Sequence, residues 1–262
     1  MESRENARLF RVLLGGILVD VSNIKVSGKG RRYRNSWQTR NISVGELDEK
    51  FLQAIEHATV DIVRYSNRRE KEYSLLRGDS REKITETSMT DLVLFSPPYP
   101  NSFDYTDVYN VELWMLRYLK SFSKNRSLRK STLVSHVQVS RDFGLAPQGS
   151  KTLVTTMENI EKVKDQLWDK RLVAMIGGYF SDMLKIMHAC SNKLVSKGQM
   201  WMVVGDSKYA GVHIPVAKIL CELASVAQCK IIREQPFRSM RASAQQGGNQ
   251  ELPETLIVME KY

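Results

Sequence analysis

Apolar residues along this chain follow two rhythms, and the change between them marks its elements. Leu9, Val12, Leu13 and Ile17, continuing into Val19 and Val21, recur every three or four residues and predict an amphipathic helix. A second helix is expected after Ser43, with Glu46 three residues on as a capping box, running through Leu47, Phe51, Ile55 and Val63. A short helix is expected from Thr106 or Asp107, with Val108, Val111, Leu113, Trp114 and Leu116 on its apolar side. From Met157 to Val195 the helical period returns in one or two pieces. The broad apolar face there, including Leu172, Ile176, Phe180, Met183 and Met187, reads as core. Val216 to Ala227 reads as a last helix, with Pro215 near its first turn. Shorter apolar runs predict strands at Tyr73–Leu76, Leu92–Phe95, Gln199–Val204, Lys230–Glu234 and Thr255–Met259, the last two as an antiparallel pair. Strands alternating with helices make the fold class α/β.

At 262 residues and 42% hydrophobic content the chain can form one large α/β domain, or one domain with an insertion. The expected division is a helical segment with a basic loop over residues 1–70, and an α/β region over 71–262 with an insertion at about 123–156. No apolar stretch is long enough to span a membrane. Charges at Glu2, Arg4, Glu5 and Arg8 do not fit a signal peptide, so the expected location is the cytoplasm. Cys190, Cys221 and Cys229 lack metal-ligand spacing and read as free thiols, with no metal site.

The formal net charge of +10 suits a polyanionic partner, since Lys and Arg contacts release counterions from phosphates; a basic surface kept for solubility would give the same number. The charge gathers in loops. Arg31, Arg32 and Arg34 interleave with Tyr33 and Trp37 after Gly28 and Gly30, a mixture that can grip phosphates while an aromatic ring stacks on an unpaired base. The same residues also suit a solvated loop anchored by Trp37. Residues 123–151 carry Lys124, Arg126, Arg129, Lys130 and Arg141 with weak apolar periodicity. The stretch from Pro236 to Asn249 holds Arg238, Arg241, Gln245 and Gln246 and reads as a hairpin loop, mobile or base-reading.

The distinctive chemistry follows the run Leu92–Phe95. Ser96-Pro97-Pro98-Tyr99 ends that strand with two fixed φ angles and two missing N–H donors. What remains is a rigid turn presenting a hydroxyl, free carbonyls and an aromatic face. Such a turn suits a planar group whose amino protons need acceptors and whose ring needs a stacking surface, as the exocyclic amine of a nucleobase does.

Ser-Pro-Pro-Tyr after a hydrophobic strand resembles the catalytic motif of amino-directed DNA methyltransferases, which methylate cytosine N4 or adenine N6. The serine form is commoner among the cytosine-N4 enzymes. The continuation through Asn101, Asp104-Tyr105 and Glu112-Leu113-Trp114 is similar to one group of cytosine-N4-like members. The resemblance implies a Rossmann-like class I methyltransferase fold, S-adenosylmethionine as methyl donor and DNA as partner, with Ser96, Pro97, Pro98 and Tyr99 catalytic. Asn101, Asp104 and Tyr105 would lie near the base, although Asp104 or Asp107 could equally cap a helix. Gly78-Asp79 before the catalytic strand and Asp206 after the Gln199–Val204 strand are expected at the cofactor edge of the site.

One part of the family pattern is missing. The usual Asp-Pro-Phe-x-Gly-x-Gly-like cofactor loop, and the acidic residue after the following strand, have no counterpart; Gly15-Gly16 lies inside a helical pattern. The fold is therefore expected to be incomplete, with helical N-terminal segment and basic insertions. In the family's sheet the catalytic strand pairs with the cofactor strand, so Asp91–Phe95 would keep an open apolar edge, which folded proteins avoid. The expectation is a split methyltransferase, with a second polypeptide supplying the cofactor-binding half. Two other functions fit the same residues: a non-catalytic DNA-binding subunit of a restriction or defence complex, and an RNA or protein amino methyltransferase.

Overall fold

The computed structural model describes residues 3–27, 30–69, 71–241 and 251–262. In chain order its elements are α1 (Arg4–Ile17), β1 (Ile24–Ser27), β2 (Gly30–Tyr33), α2 (Val44–Arg64), α3 (Ser80–Lys83), β3 (Thr90–Phe95), α4 (Tyr105–Val108), α5 (Asn110–Met115), α6 (Phe122–Ser131), α7 (Lys151–Lys162), α8 (Leu172–Lys193), β4 (Leu194–Gly205), β5 (Ser207–Tyr209), β6 (Val212–Ile214), α9 (Val216–Leu223), β7 (Cys229–Arg241) and β8 (Glu251–Lys261). They form two compact units. One comprises residues up to Leu75 together with Tyr105–Leu128; the other comprises Leu76–Asp104 and Arg129–Tyr262. No described helix is long and apolar enough to cross a membrane.

In the first unit α1 meets α2, with the rings of Phe10 and Phe51 edge to face at 6.3 Å. Ser43 caps α2 as its sequence suggests, its hydroxyl accepting the Glu46 N–H at 3.1 Å. The basic stretch expected to be a loop contains a two-stranded antiparallel hairpin, β1 with β2. Tyr33 and Trp37 stack on each other with centroids 4.9 Å apart.

The second unit holds a four-stranded mixed sheet in the order β3-β4-β8-β7. β3 runs parallel to β4, and β8 is antiparallel to both β4 and β7. One sheet face carries the core: Met200, Met202, Val204, Ile257 and Met259 pack with Met175, Ile176, Met183 and Met187 of α8 and Ile219 and Leu220 of α9. α8 is apolar on nearly all sides because it lies within this cluster. Val93 and Phe95 of β3 join the core. The alternate positions Leu92 and Leu94 are 48% and 66% exposed, and Trp201, in register with Leu94, is 37% exposed. β3 is the last strand at its side of the sheet among the described residues.

Several expectations need correction. Tyr73–Leu76 forms no strand; Tyr73 and Leu75 are 81% and 86% exposed. A strand is stable only as part of a hydrogen-bonded ladder, and among the described residues this segment pairs with no strand. Pro236–Arg241 is part of β7 and not loop, paired from Pro236↔Thr255 to Arg241↔Glu251, with an irregular register at Pro236/Arg238 that accommodates the missing proline N–H. The basic stretch after residue 122 is helical over α6, and the next helix, α7, begins at Lys151, ahead of the expected Met157.

Candidate active site

Parallel pairing delivers the Ser-Pro-Pro-Tyr turn to a defined place. Phe95 is in register with Met202, so Ser96 emerges beside Val203, and its hydroxyl donates to the Val203 carbonyl at 3.0 Å. Pro97 and Pro100 are buried while Ser96 remains exposed. The turn is pinned at several points. The Asn101 N–H donates to the Tyr99 carbonyl at 2.8 Å, and the Ser102 N–H donates to the Ser135 carbonyl at 2.9 Å. The buried Tyr209 hydroxyl donates to the Pro100 carbonyl at 2.9 Å. A turn held this way keeps its hydroxyl and ring in one geometry without needing a ligand to order them.

Tyr99 is half-buried, and its hydroxyl donates to Glu254 Oε1 at 2.5 Å. Glu254 is 3% exposed and also pairs with the Arg238 guanidinium. Hydrogen bonding from Arg238 holds the Glu254 carboxyl below its usual range. Burial, reinforced by the bond to Glu254, pushes the Tyr99 phenol up to about 12. Ser96 Oγ and Tyr99 Oη are 3.4 Å apart. The cluster thus joins the ends of β3 and β4 to the start of β8 and to β7. Sequence reading found Ser96, Tyr99 and Arg238 but missed Glu254. Glu254 lies 155 residues from Tyr99, and only the pairing Gly205↔Glu254 brings it to the site.

The other expected site residues are placed as follows. Asn101 Oδ1 accepts the Phe103 N–H at 3.2 Å, within the same turn. Asp104 is buried and bound by Arg129 at 2.5 Å, with His136 Nε2 at 3.8 Å. Tyr105 belongs to the other compact unit, as do Arg31, Arg32 and Arg34. Arg31 pairs with Asp107, and Arg34 donates to the carbonyls of Val19 and Ser22, which ties it to the end of α1; Arg32 is exposed. Arg241 ends β7, and Gln245 lies outside the described residues.

Gly78, Asp79 and Asp206, expected at the cofactor edge, sit among protein neighbours. Asp79 caps α3, and both its carboxylate oxygens take hydrogen bonds from Arg81, which also bridges to the buried Asp182 at 2.5 Å. Beside Gly78 (φ +154°), a Cβ would stand 2.7 Å from the Lys83 side chain, so that side chain fills the space. Asp206 meets His213 Nε2 at 2.8 Å and accepts the Ala217 N–H near the start of α9.

Comparison with known proteins found similarity to curated methyltransferases. The chain is 26% identical over 148 residues to the type II methyltransferase M.AvaI of Nostoc sp. (strain PCC 7120 / SAG 25.82 / UTEX 2576), and equally to that of Anabaena variabilis. The match covers 53% of this chain and 30% of each relative, so the chain spans less than a third of the relatives it matches. No family model matches the chain, and no solved structure matches it.

Proposed function

We propose that this chain is the catalytic and target-binding subunit of a split DNA methyltransferase acting on an exocyclic amine, cytosine N4. The fold we assign is Rossmann-like class I, incomplete beyond β3. The observation that carries this reading is the Ser96–Tyr99 turn: a hydroxyl, proline carbonyls and an aromatic ring held together at the carboxyl end of a strand. The similarity to type II methyltransferases supports it, as does the net charge of +10.

The chemistry assigned to this chain is recognition and orientation of the amine. Inside a duplex that amine is paired, so the target base must leave the stack. Tyr99 then offers a stacking face. The Ser96 hydroxyl and the Pro97 carbonyl accept the two amino protons. These hydrogen bonds draw the nitrogen lone pair out of conjugation with the ring and direct it away from the turn. No covalent enzyme intermediate is required.

S-adenosylmethionine is the methyl donor this reading implies, and its site is assigned to a second polypeptide, because the family's glycine-rich cofactor loop has no counterpart in this sequence. Among the described residues no strand pairs with the outer side of β3, and Leu92 and Leu94 are exposed, which supports a partner there. The test is transfer of labelled methyl from S-adenosylmethionine to duplex DNA, by this chain alone and with the product of the neighbouring gene. Transfer only in the mixture is expected. Transfer by the chain alone would overturn the split arrangement. DNA binding without transfer would favour a non-catalytic subunit, and transfer only to RNA or protein would replace DNA as substrate.

A further inference from the structure

We infer that Glu254 is a positioning residue that sets both the orientation of Tyr99 and the hydrogen-bond polarity of Ser96. The inference rests on the methyltransferase reading for its consequence and on geometry for its cause. An ionised carboxylate has only acceptors to offer. Arg238 keeps Glu254 in that form, so the Tyr99 hydroxyl must be the donor in their 2.5 Å contact. The single phenolic proton is then committed, and Tyr99 cannot donate to Ser96 Oγ at 3.4 Å. The Ser96 proton in turn points to the Val203 carbonyl at 3.0 Å. Both hydroxyl protons are directed into the protein, which leaves the Ser96 oxygen lone pairs for an incoming amine. Without Glu254 the phenol is free to donate to Ser96 and occupy the acceptor that the amine needs.

The carboxylate also fixes the ring. Tyr99 is held at its hydroxyl end by Glu254 and at its backbone by the Asn101 N–H, so the long axis of the ring is fixed at both ends. The charged groups around this phenol are Glu254 of β8, which accepts its proton, and Arg238 of β7, which pairs with Glu254; the buried Tyr179 of α8 is uncharged.

The experiment has two arms, and only one needs methyl transfer. In the first, 3-fluorotyrosine replaces Tyr99 in the full chain, and its fluorine resonance is titrated with and without Glu254→Gln. The expected result is a downward shift of the phenol titration by about one pKa unit in the variant, from loss of a neighbouring anion. An unchanged titration overturns the inference. In the second arm, methyl transfer to duplex DNA is measured with the partner polypeptide present for wild type, Glu254→Gln, Tyr99→Phe and the double variant. Glu254→Gln should lower kcat by about tenfold or more with little change in KM for DNA, the usual size for loss of a charge-assisted hydrogen bond. In the Tyr99→Phe background it should cost nothing further. An equal loss in both backgrounds would mean that Glu254 acts on the fold alone, and would overturn the inference while leaving the methyltransferase reading intact. If the wild-type mixture transfers no methyl group to any substrate, that reading fails, and the fluorine titration alone decides the role of Glu254. Thermal melting of each variant confirms that it is folded.

Discussion

At the scale of single residues, the site is a problem of where protons point. Ser96, Tyr99, Glu254 and Arg238 form a short chain in which each donor has one acceptor. Ser96→Ala removes the hydroxyl proposed to receive the amine, and Tyr99→Ala removes the stacking face. Each is expected to abolish methyl transfer while leaving the far-UV spectrum unchanged, because neither side chain belongs to the main apolar cluster. Retained activity in both variants would sink the catalytic assignment. Glu254 also makes a prediction about pH. Its carboxyl is depressed from an ordinary value of 4.5 by Arg238, so the unfolded chain takes up this proton before the folded one does. The stabilisation from the pair is fully present above about pH 4.5 and is lost as pH falls through the lower, folded value. The difference in melting temperature between wild type and Glu254→Gln should therefore be widest near neutrality and shrink on acidification to about pH 3. A constant difference across that range would show that the carboxylate charge is not what stabilises.

At the scale of elements, α8 and β3 behave oppositely. α8 is saturated with contacts, and its glycines mark how closely other chain segments approach. A Cβ on Gly178 would lie 2.0 Å from the Phe143 carbonyl oxygen. Alanine is the better helix former by about 1 kcal/mol, but that gain is outweighed by the clash with backbone. Gly178→Ala is expected to lower stability by about 1–3 kcal/mol, seen as a lower denaturation midpoint with an unchanged slope. β3, in contrast, is underused. Val93 and Phe95 pack inward while Leu92 and Leu94 stand largely in solvent. Leu94→Lys should change the stability of the isolated chain by no more than about 0.5 kcal/mol, as for other exposed positions. If the proposed partner docks beside β3, the same substitution should prevent co-purification with it. A complex that survives would place the partner elsewhere.

At the scale of the whole molecule, the proposed DNA partner makes a prediction about charge. With a net charge of +10, binding to duplex DNA should weaken steeply with salt. If about six phosphates are contacted, affinity should fall by about a thousandfold between roughly 50 and 200 mM salt. Fluorescence anisotropy on a labelled duplex measures this directly, and a flat response would remove charge as an argument for a nucleic-acid partner. Some of the positive side chains are held in ion pairs: Arg81 with Asp79 and Asp182, Arg129 with Asp104, and Arg238 with Glu254. Arg129 and Arg238, which the sequence offers as basic loop residues, are thus tied to the protein. Exposed Arg32 is the better candidate for a DNA contact within the stretch that holds Arg31 and Arg34.

By itself the sequence determined what depends on near neighbours. The proline pair ending β3, the Ser43 cap of α2, the apolar breadth of α8 and the pairing of the last two strands were all legible, because φ restriction, capping and periodicity act over a few residues. The tertiary structure decided what depends on partners far along the chain. Tyr73–Leu76 has the composition of a strand but finds no ladder to join. Asp79 has the look of a ligand residue, yet Arg81 and the cap of α3 claim it. Glu254 carries no local signal at all and reaches Tyr99 only through strand register. The physical reason is common to these cases. A side chain's chemistry is intrinsic, but the groups left free to use it are fixed by the pairing of distant backbone segments, which no local pattern encodes.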